Sequence, residues 1–508
     1  MAKATTAPEA PPASDAPDLM EATTLYRSGK FDEAARRYQQ LLQAQPKSPE
    51  VYAGLTRVYL KKKMLQQAQE TISKGLTVAD SPPIHVALGE VLFREGKLAD
   101  AEREWLNVVD SGHNDARAHL GLARLSIAST QYKQAKTEID KAHALDPSDP
   151  DIQFYWIRSQ GLGAGLIDSR HECRLDTERV PIETDLLLLS GDRPNQVRGY
   201  GLPVSVNGQN STLLLDTGAH GIVIDRKIAQ RASLTKISNT AVGGFGDQHN
   251  SQGYFAMANV VRIGKLEFQD CTVTVVDKGS VLGEDGLIGS DVFQDFMIDL
   301  DFPAKKLRLG SLPKRPDDGN GLESRQSSTG ATGPFDMKSG DTVVAASANA
   351  TPSYTSVANR PLPAQFSFAF VPAFRFGHLL LIETEVGDSI GKRLFAIDTG
   401  AARNLFSVST AREVAKVQEN SRLAIKGLSG SVNKVYDAKK TALSFGHVQQ
   451  YADKETALSL DRMSDEIGTE VSGVLGVSNL RTLDMTIDYR DGLVGFDFST
   501  DPAASVHP

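Results

Sequence analysis

The segments Leu213-Leu-Leu-Asp-Thr-Gly-Ala219 and Phe395-Ala-Ile-Asp-Thr-Gly-Ala401 are near copies of one another, with Asp216 and Asp398 182 positions apart. The residues downstream of the two copies stay in register. A glycine after an apolar residue stands 48 positions beyond each aspartate, in Ile263-Gly264 and Phe445-Gly446. Two apolar residues and a glycine come next, as Leu287-Ile288-Gly289 and Val474-Leu475-Gly476, with the glycines at +73 and +78. From there the copies run on without a gap: Phe296, Ile298, Leu300, Asp301 and Phe302 match Leu483, Met485, Ile487, Asp488 and Tyr489. An Asp-Thr-Gly triplet arises by chance in roughly one chain in ten of this size, so one copy would mean little. Two, each closing an apolar strand and trailed by the same pattern, mark an internal duplication. The chain beyond about Gly161 is written in short β-branched and aliphatic stretches broken by Gly and Asn, which reads as many short strands. The duplication therefore predicts two all-β lobes, at 161–312 and 362–500. Between them, residues 321–360 hold 24 Gly, Ser, Thr, Ala or Pro out of 40, which marks 313–361 as a flexible linker.

From about Asp18 to Pro150 the periodicity is helical and repeats itself. An aromatic or aliphatic residue stands three before an alanine at Phe31/Ala34, Leu65/Ala68, Leu98/Ala101 and Tyr132/Ala135, with alanine spacings of 34, 33 and 34. Four residues after each alanine comes a large apolar side chain, Tyr38, Ile72, Trp105 and Ile139. Twelve after it comes Pro46 in the first unit and Pro147 in the fourth. The alanine lets two antiparallel helices approach closely, the large residue fills the space between units, and the proline stops the second helix. This segment, 18–160, resembles the tetratricopeptide repeat, with Leu88-Gly89, Gly96 and Leu98-Ala-Asp-Ala101 carrying the likeness best. It departs at Asp80 and His113, which replace the helix-ending proline, and at Thr56, which replaces a small residue. The resemblance implies a concave helical solenoid that binds a protein partner; a structural spacer is the other reading. Lys61 to Lys63 read as a solvated face. The fold class is thus multidomain, an all-α repeat solenoid followed by two all-β lobes, with tails at 1–17 and 501–508.

The duplicated half resembles the retropepsin-like aspartic proteases, including the bacterial branch in which a single Asp-Thr-Gly lobe is attached to other domains. The likeness covers roughly Val197 to Gly310 and Gly377 to Phe498. It implies acid-protease lobes meeting about a twofold axis, with Asp216 and Asp398 as the catalytic pair. It also implies that Thr217 and Thr399 bridge the lobes, that Gly218 and Gly400 allow the tight turns, and that Ile288-Gly289 and Leu475-Gly476 lie under the turns. Elementary chemistry agrees. Peptide hydrolysis without a metal or a nucleophilic side chain needs one group to deprotonate water and another to protonate the carbonyl oxygen or leaving amine. Two carboxyls held close together share one proton and so supply both. The expected activity is an aspartic endopeptidase acting on a protein or peptide substrate, with no cofactor and no metal. A non-catalytic peptide-binding scaffold that keeps the fold is the alternative. Its motivation is Gly221-Ile222 and Arg403-Asn404, where active relatives often carry Thr or Ser. A pepsin-type enzyme is a further reading, disfavoured because alanine follows both triplets. Pairing of the lobes within one chain or between two molecules is left open.

Glycine-flanked tips at Gly243-Gly-Phe-Gly246 and Gly427-Leu-Ser-Gly430, at +27 and +29 from their aspartates, read as flaps or as plain hairpin turns. As flaps they would place Gly244, Phe245, Gly246, Leu428 and Ser429 over the substrate. His220 has Ala402 at its place in the second copy, so it reads as a specificity or surface residue. Asp301 and Asp488 read as structural. His171-Glu-Cys173 has no second pair at metal-binding spacing.

Composition excludes several classes. At 508 residues the chain is long enough for about three domains. A net charge of −8 offers no global basic field for nucleic acid. The longest aliphatic runs, Leu186 to Leu189 and Leu379 to Ile382, fall far short of the ~18 apolar residues of a membrane span. Two cysteines, Cys173 and Cys271, allow at most one bridge. The Ala- and Pro-rich start, Met1 to Leu19, lacks the apolar stretch of a secretory signal, which favours the cytoplasm for the chain as it stands, with export open if a leader is missing.

Overall fold

The computed structural model describes residues 15–161, 173–176, 181–190, 197–242, 251–276, 285–313, 370–387, 391–421, 423, 425–427, 430–432 and 434–498. Most of the linker, the outermost tails and residues 243–250, 428 and 429, which include the residues expected as flaps, lie outside the described residues.

Among the described residues the N-terminal region is built from nine helices: α1 (Asp15–Arg27), α2 (Phe31–Ala44), α3 (Pro49–Lys61), α4 (Leu65–Val78), α5 (Pro82–Arg94), α6 (Leu98–Asp110), α7 (Ala116–Ala128), α8 (Tyr132–Leu145) and α9 (Pro150–Gly161). The alanines of the repeat, Ala34, Ala68, Ala101 and Ala135, are fully buried, and Tyr38, Ile72, Trp105 and Ile139 are buried beside them. Trp105 shows why small residues recur. A Cβ added at Gly89 or Gly121 would come within 2.4 Å of its indole, so the ring is clasped between neighbouring units. Two residues after each missing helix-ending proline, the next helix is marked. Pro82 opens α5 at its first turn, and Asp115 caps α7 by accepting from the backbone N–H of Arg117 and Ala118 at 2.8 and 3.0 Å. Thr56 is accommodated fully buried. The inner helices are laced by ions: Arg117 contacts Glu90 and Asp149, Arg57 also contacts Glu90, and Lys61 contacts Asp151. Arg27, at the end of α1, reaches Asp146 before α9, which draws the ends of the solenoid together.

In the first lobe, strand Gly286–Gly289 lies parallel to Gln209–Asp216, with Ile288 opposite Leu215 and Gly289 opposite Asp216, and antiparallel to Ile222–Asp225. The second lobe repeats this arrangement: Gly473–Leu475 runs parallel to Lys392–Ile397 and antiparallel to Leu405–Ser407. The apolar-apolar-glycine patterns therefore lie directly under the Asp-Thr-Gly turns. The closing strands of the lobes join each other. Met297–Asp301 pairs antiparallel with Leu483–Asp488, placing Ile298 opposite Ile487 and Leu300 opposite Met485. Ile182–Asp185 extends this shared sheet at one end and Phe370–Phe376 at the other. Its inner face carries Ile298, Leu300, Met485 and Ile487, all fully buried, so the lobes share one core. Asp301 and Asp488 stand at matched hairpin turns, accepting from the N–H of Ala304 and Asp491, both at 2.9 Å. They are turn caps.

The repeats dock on the second lobe. Along Leu379–Val386, Leu380 and Ile382 face the shared core while Leu379 and Leu381 pack with Val86, Phe93 and Trp105 of the repeats. This is why that run is apolar at every position: both faces of the strand are covered. Polar contacts seal the seam. Thr469 Oγ1 donates to the Phe93 carbonyl at 2.6 Å, the Glu470 N–H donates to the Arg94 carbonyl at 2.8 Å, and Arg94 pairs with Asp465. In the first lobe, Cys173 and Cys271 form a disulfide that holds strand Arg174–Leu175 against Leu266–Val276.

Candidate active site

Each Asp-Thr-Gly triplet leaves the end of a buried strand and turns back over the parallel strand beneath it. The Asp398 N–H donates to the Leu475 carbonyl at 3.1 Å, and the Gly289 N–H donates to the Gly221 carbonyl at 2.7 Å. The two turns meet tip to tip within one chain. A Cβ added at Gly218 would lie 2.7 Å from Cγ of Asp398, and one at Gly400 would lie 2.4 Å from Oδ2 of Asp216. Only glycine permits that approach, so each turn is shaped by the carboxyl of the opposite lobe.

Thr217 and Thr399, buried at the junction, lock the turns reciprocally. The Thr217 N–H donates to Thr399 Oγ1 at 3.0 Å and the Thr399 N–H donates to Thr217 Oγ1 at 3.0 Å. Each hydroxyl in turn donates to the far strand: Thr217 Oγ1 to the Ile397 carbonyl at 2.9 Å and Thr399 Oγ1 to the Leu215 carbonyl at 2.8 Å. Four hydrogen bonds thus cross the pseudo-twofold axis.

Asp216 and Asp398 are recessed between the lobes and retain some accessible surface. The N–H of Gly218 donates to Asp216 Oδ1 at 2.8 Å, and the N–H of Ala401 donates to Asp398 Oδ1 at 2.9 Å. Loss of hydration, and then the facing carboxylate of Asp398, hold the Asp216 carboxyl well above the ordinary carboxylate range. Burial raises Asp398 as well. A pair so placed retains one proton between its members over a wide pH range.

Beneath the turns lie residues that spacing alone did not single out for this role. In the first lobe Asp291, almost fully buried, accepts from the Gly221 N–H at 3.0 Å and from His220 Nδ1 at 2.5 Å. In the second lobe Asn404 Oδ1 accepts from the Gly476 N–H at 2.9 Å, and its Nδ2 donates to Glu455 at 3.4 Å. The same tie between turn and underlying strand is therefore made from opposite sides: by a side chain after the glycine pattern in one lobe, and by one after the triplet in the other. Asn404 was visible as a departure from the expected Thr or Ser, and the structure gives it a supporting function. Burial pushes the Glu455 carboxyl up to about 7.

Gly244, Phe245, Gly246, Leu428 and Ser429, expected as flap residues, lie outside the described residues. The strands flanking them pair antiparallel, Val242 with Ser251 and Gly427 with Gly430. Cys173 is committed to its disulfide, and His171 and Glu172 lie outside the described residues. Among the described residues no group of three His, Cys, Asp or Glu is placed to hold a metal, and no helix is long and apolar enough to cross a membrane.

Family models match parts of both the helical and the strand-rich regions. Residues 202–292 match a family model described as aspartyl protease. Residues 25–79 and 86–150 match two tetratricopeptide-repeat models. No curated protein matches the sequence. Among solved structures, the chain is similar to an aspartic proteinase from Irpex lacteus at 11% identity and a TM-score of 0.35, over 64% of this chain and 99% of that one. The chain carries N-terminal tetratricopeptide repeats followed by an aspartyl protease domain.

Proposed function

We propose that this protein is an aspartic endopeptidase whose two lobes, from one chain, form a single catalytic dyad of Asp216 and Asp398. The observation that carries the reading is the face-to-face approach of the two carboxyls, each against the other lobe's glycine, beneath the crossed threonine bonds. A water between the carboxyls gives up a proton to the ionised member as it attacks the peptide carbonyl. The protonated member donates to the carbonyl oxygen, and the resulting diol collapses as the leaving amine is protonated. The backbone N–H groups of Gly218 and Ala401 orient the carboxyls and stabilise the charge each carries in turn. Hairpins Thr235–Val242/Ser251–Ile263 and Ile425–Gly427/Gly430–Val432 carry the flaps that close over a peptide.

The repeats have two tasks in this reading. Their α5–α7 region buttresses the second lobe, and the surface left uncovered recruits a protein substrate or regulator. Digestion of a mixed peptide library, with cut sites read by mass spectrometry, tests the chemistry. Asp216→Asn and Asp398→Asn should each lower cleavage by about 10²–10⁴-fold or more. Undiminished cutting in both variants would sink the reading.

A further inference from the structure

The two lobes are copies, so each serves as a control for what the other needs in order to fold. Beneath the catalytic turns they differ at one pair of positions. In the first lobe Ile222 and Val273 immediately precede Val223 and Thr274, which pair on parallel strands. In the second lobe, 182 positions on, Asn404 and Glu455 immediately precede Leu405 and Thr456, which pair in the same way. All four side chains are buried. An apolar pair in one lobe is an amide and a carboxyl in the other.

A third difference accounts for the amide. Gly221 has φ +61°, and its carbonyl accepts the Gly289 N–H at 2.7 Å. Arg403 stands in its place without that left-handed backbone, and the matching Gly476 N–H donates instead to Asn404 Oδ1 at 2.9 Å. Asn404 can accept there in only one orientation of its amide. With Oδ1 committed to an N–H, Nδ2 points the other way and requires an acceptor. Glu455 Oε1 is that acceptor, at 3.4 Å.

We propose that Glu455 is a positioning residue for the second catalytic turn, acting through Asn404. This rests on the peptidase reading and deepens it by naming what holds the Asp398 turn in place. The route from this carboxyl to the dyad is short. Gly476 is pressed against the turn, since a Cβ there would lie 2.3 Å from the Arg403 carbonyl oxygen and 2.7 Å from that of Ala401. On either side of it, the Asp398 N–H donates to the Leu475 carbonyl at 3.1 Å and the Val477 N–H donates to the Ala401 carbonyl at 2.8 Å. The Ala401 N–H in turn donates to Asp398 Oδ1 at 2.9 Å. An Asn404 amide free to turn over would set Nδ2 against the Gly476 N–H, donor against donor, and loosen the strand end on which Asp398 and Ala401 rest.

The fold alone does not call for this carboxyl. Val273 shows that an apolar side chain fills the same place in the sister lobe. Burial pushes Glu455 up to about 7, so its ionisation weakens the folded state as pH rises towards neutrality. What Glu455 supplies is the orientation of Asn404.

The test compares the full chain with Glu455→Val, Glu455→Leu and Glu455→Gln, reading kcat and KM on one peptide, cooperative unfolding in urea, and amide exchange at Gly476 and Ala401. Valine copies the first lobe and leucine fills more of the volume, and both remove the acceptor; glutamine keeps a carbonyl oxygen. At least one of the apolar variants should unfold cooperatively yet lose about tenfold or more in kcat, with KM little changed. Its exchange at Gly476 should quicken by a similar factor. Glu455→Gln should bring both back close to the parent's values. Parent-like kcat and exchange in a folded apolar variant, or the same losses in Glu455→Gln, would overturn the proposal. If the folded parent cleaves nothing, the peptidase reading fails separately, and exchange at Gly476 still decides for or against Glu455.

Discussion

Thr217 and Thr399 show how much rests on single hydroxyls. Each both accepts from and donates to the backbone of the opposite lobe, so replacing either by valine leaves a buried N–H and a carbonyl without partners. Thr217→Val should cost about 1–3 kcal/mol in urea unfolding and lower cleavage, while Thr217→Ser, which keeps the oxygen, should cost far less. The aspartates act in the opposite sense. Their folded-state pKa values are raised, so the stability they allow is fully present at low pH and declines as pH rises through those values. Asp398→Asn should therefore abolish cleavage while raising the melting temperature at pH 8 more than at pH 4. Glu455, held at about 7, works in the same direction beneath the second turn. Glu455→Gln should flatten the fall in stability between about pH 4.5 and 7, measured by melting temperature across that window.

At the scale of elements, the turn between α5 and α6 joins two jobs. Gly96 has φ +74°, and a Cβ there would sit 3.0 Å from the Glu470 carbonyl in the second lobe. Gly96→Ala should destabilise the protein by about 1–2 kcal/mol and expose the seam to limited proteolysis, whereas the same change in a turn free of the lobe would bring only the backbone strain. Elements were legible in sequence where their pattern is local. Helix pairs follow from Ala34, Ala68, Ala101 and Ala135, and the strands under the turns from Ile288-Gly289 and Leu475-Gly476. Partners across long separations were not. The matched series from Phe296 and from Leu483 revealed the duplication, but that these two strands pair with each other across the lobes is a tertiary fact. Asp291 gave no signal, because it reaches its turn only after the chain folds and has no acidic counterpart at Ser478. The unbroken run Leu379 to Ile382 did carry a signal, since a strand apolar at every position has both faces covered. Sequence could not say that the repeats supply one of the covers.

The whole molecule is therefore less modular than its parts suggest. Removing the repeats would bare Leu379, Leu381, Leu394 and Ala396 of the second lobe. A chain beginning near residue 161 should aggregate or run as larger species on gel filtration, whereas independent modules would leave it monodisperse. The Cys173–Cys271 bridge, spanning 98 residues, ties the start of the first lobe to strand Leu266–Val276. Its loss should cost about 4.7 kcal/mol by chain entropy, seen as a lower melting temperature under reductant or in the double alanine variant. The most direct test of the single-chain dyad is to assay Asp216→Asn and Asp398→Asn separately and then mixed in equal amounts. With one dyad per chain, each is inactive alone and the mixture stays inactive at every concentration. Activity in either variant alone, or activity restored on mixing, would contradict it by showing that the lobes pair between molecules.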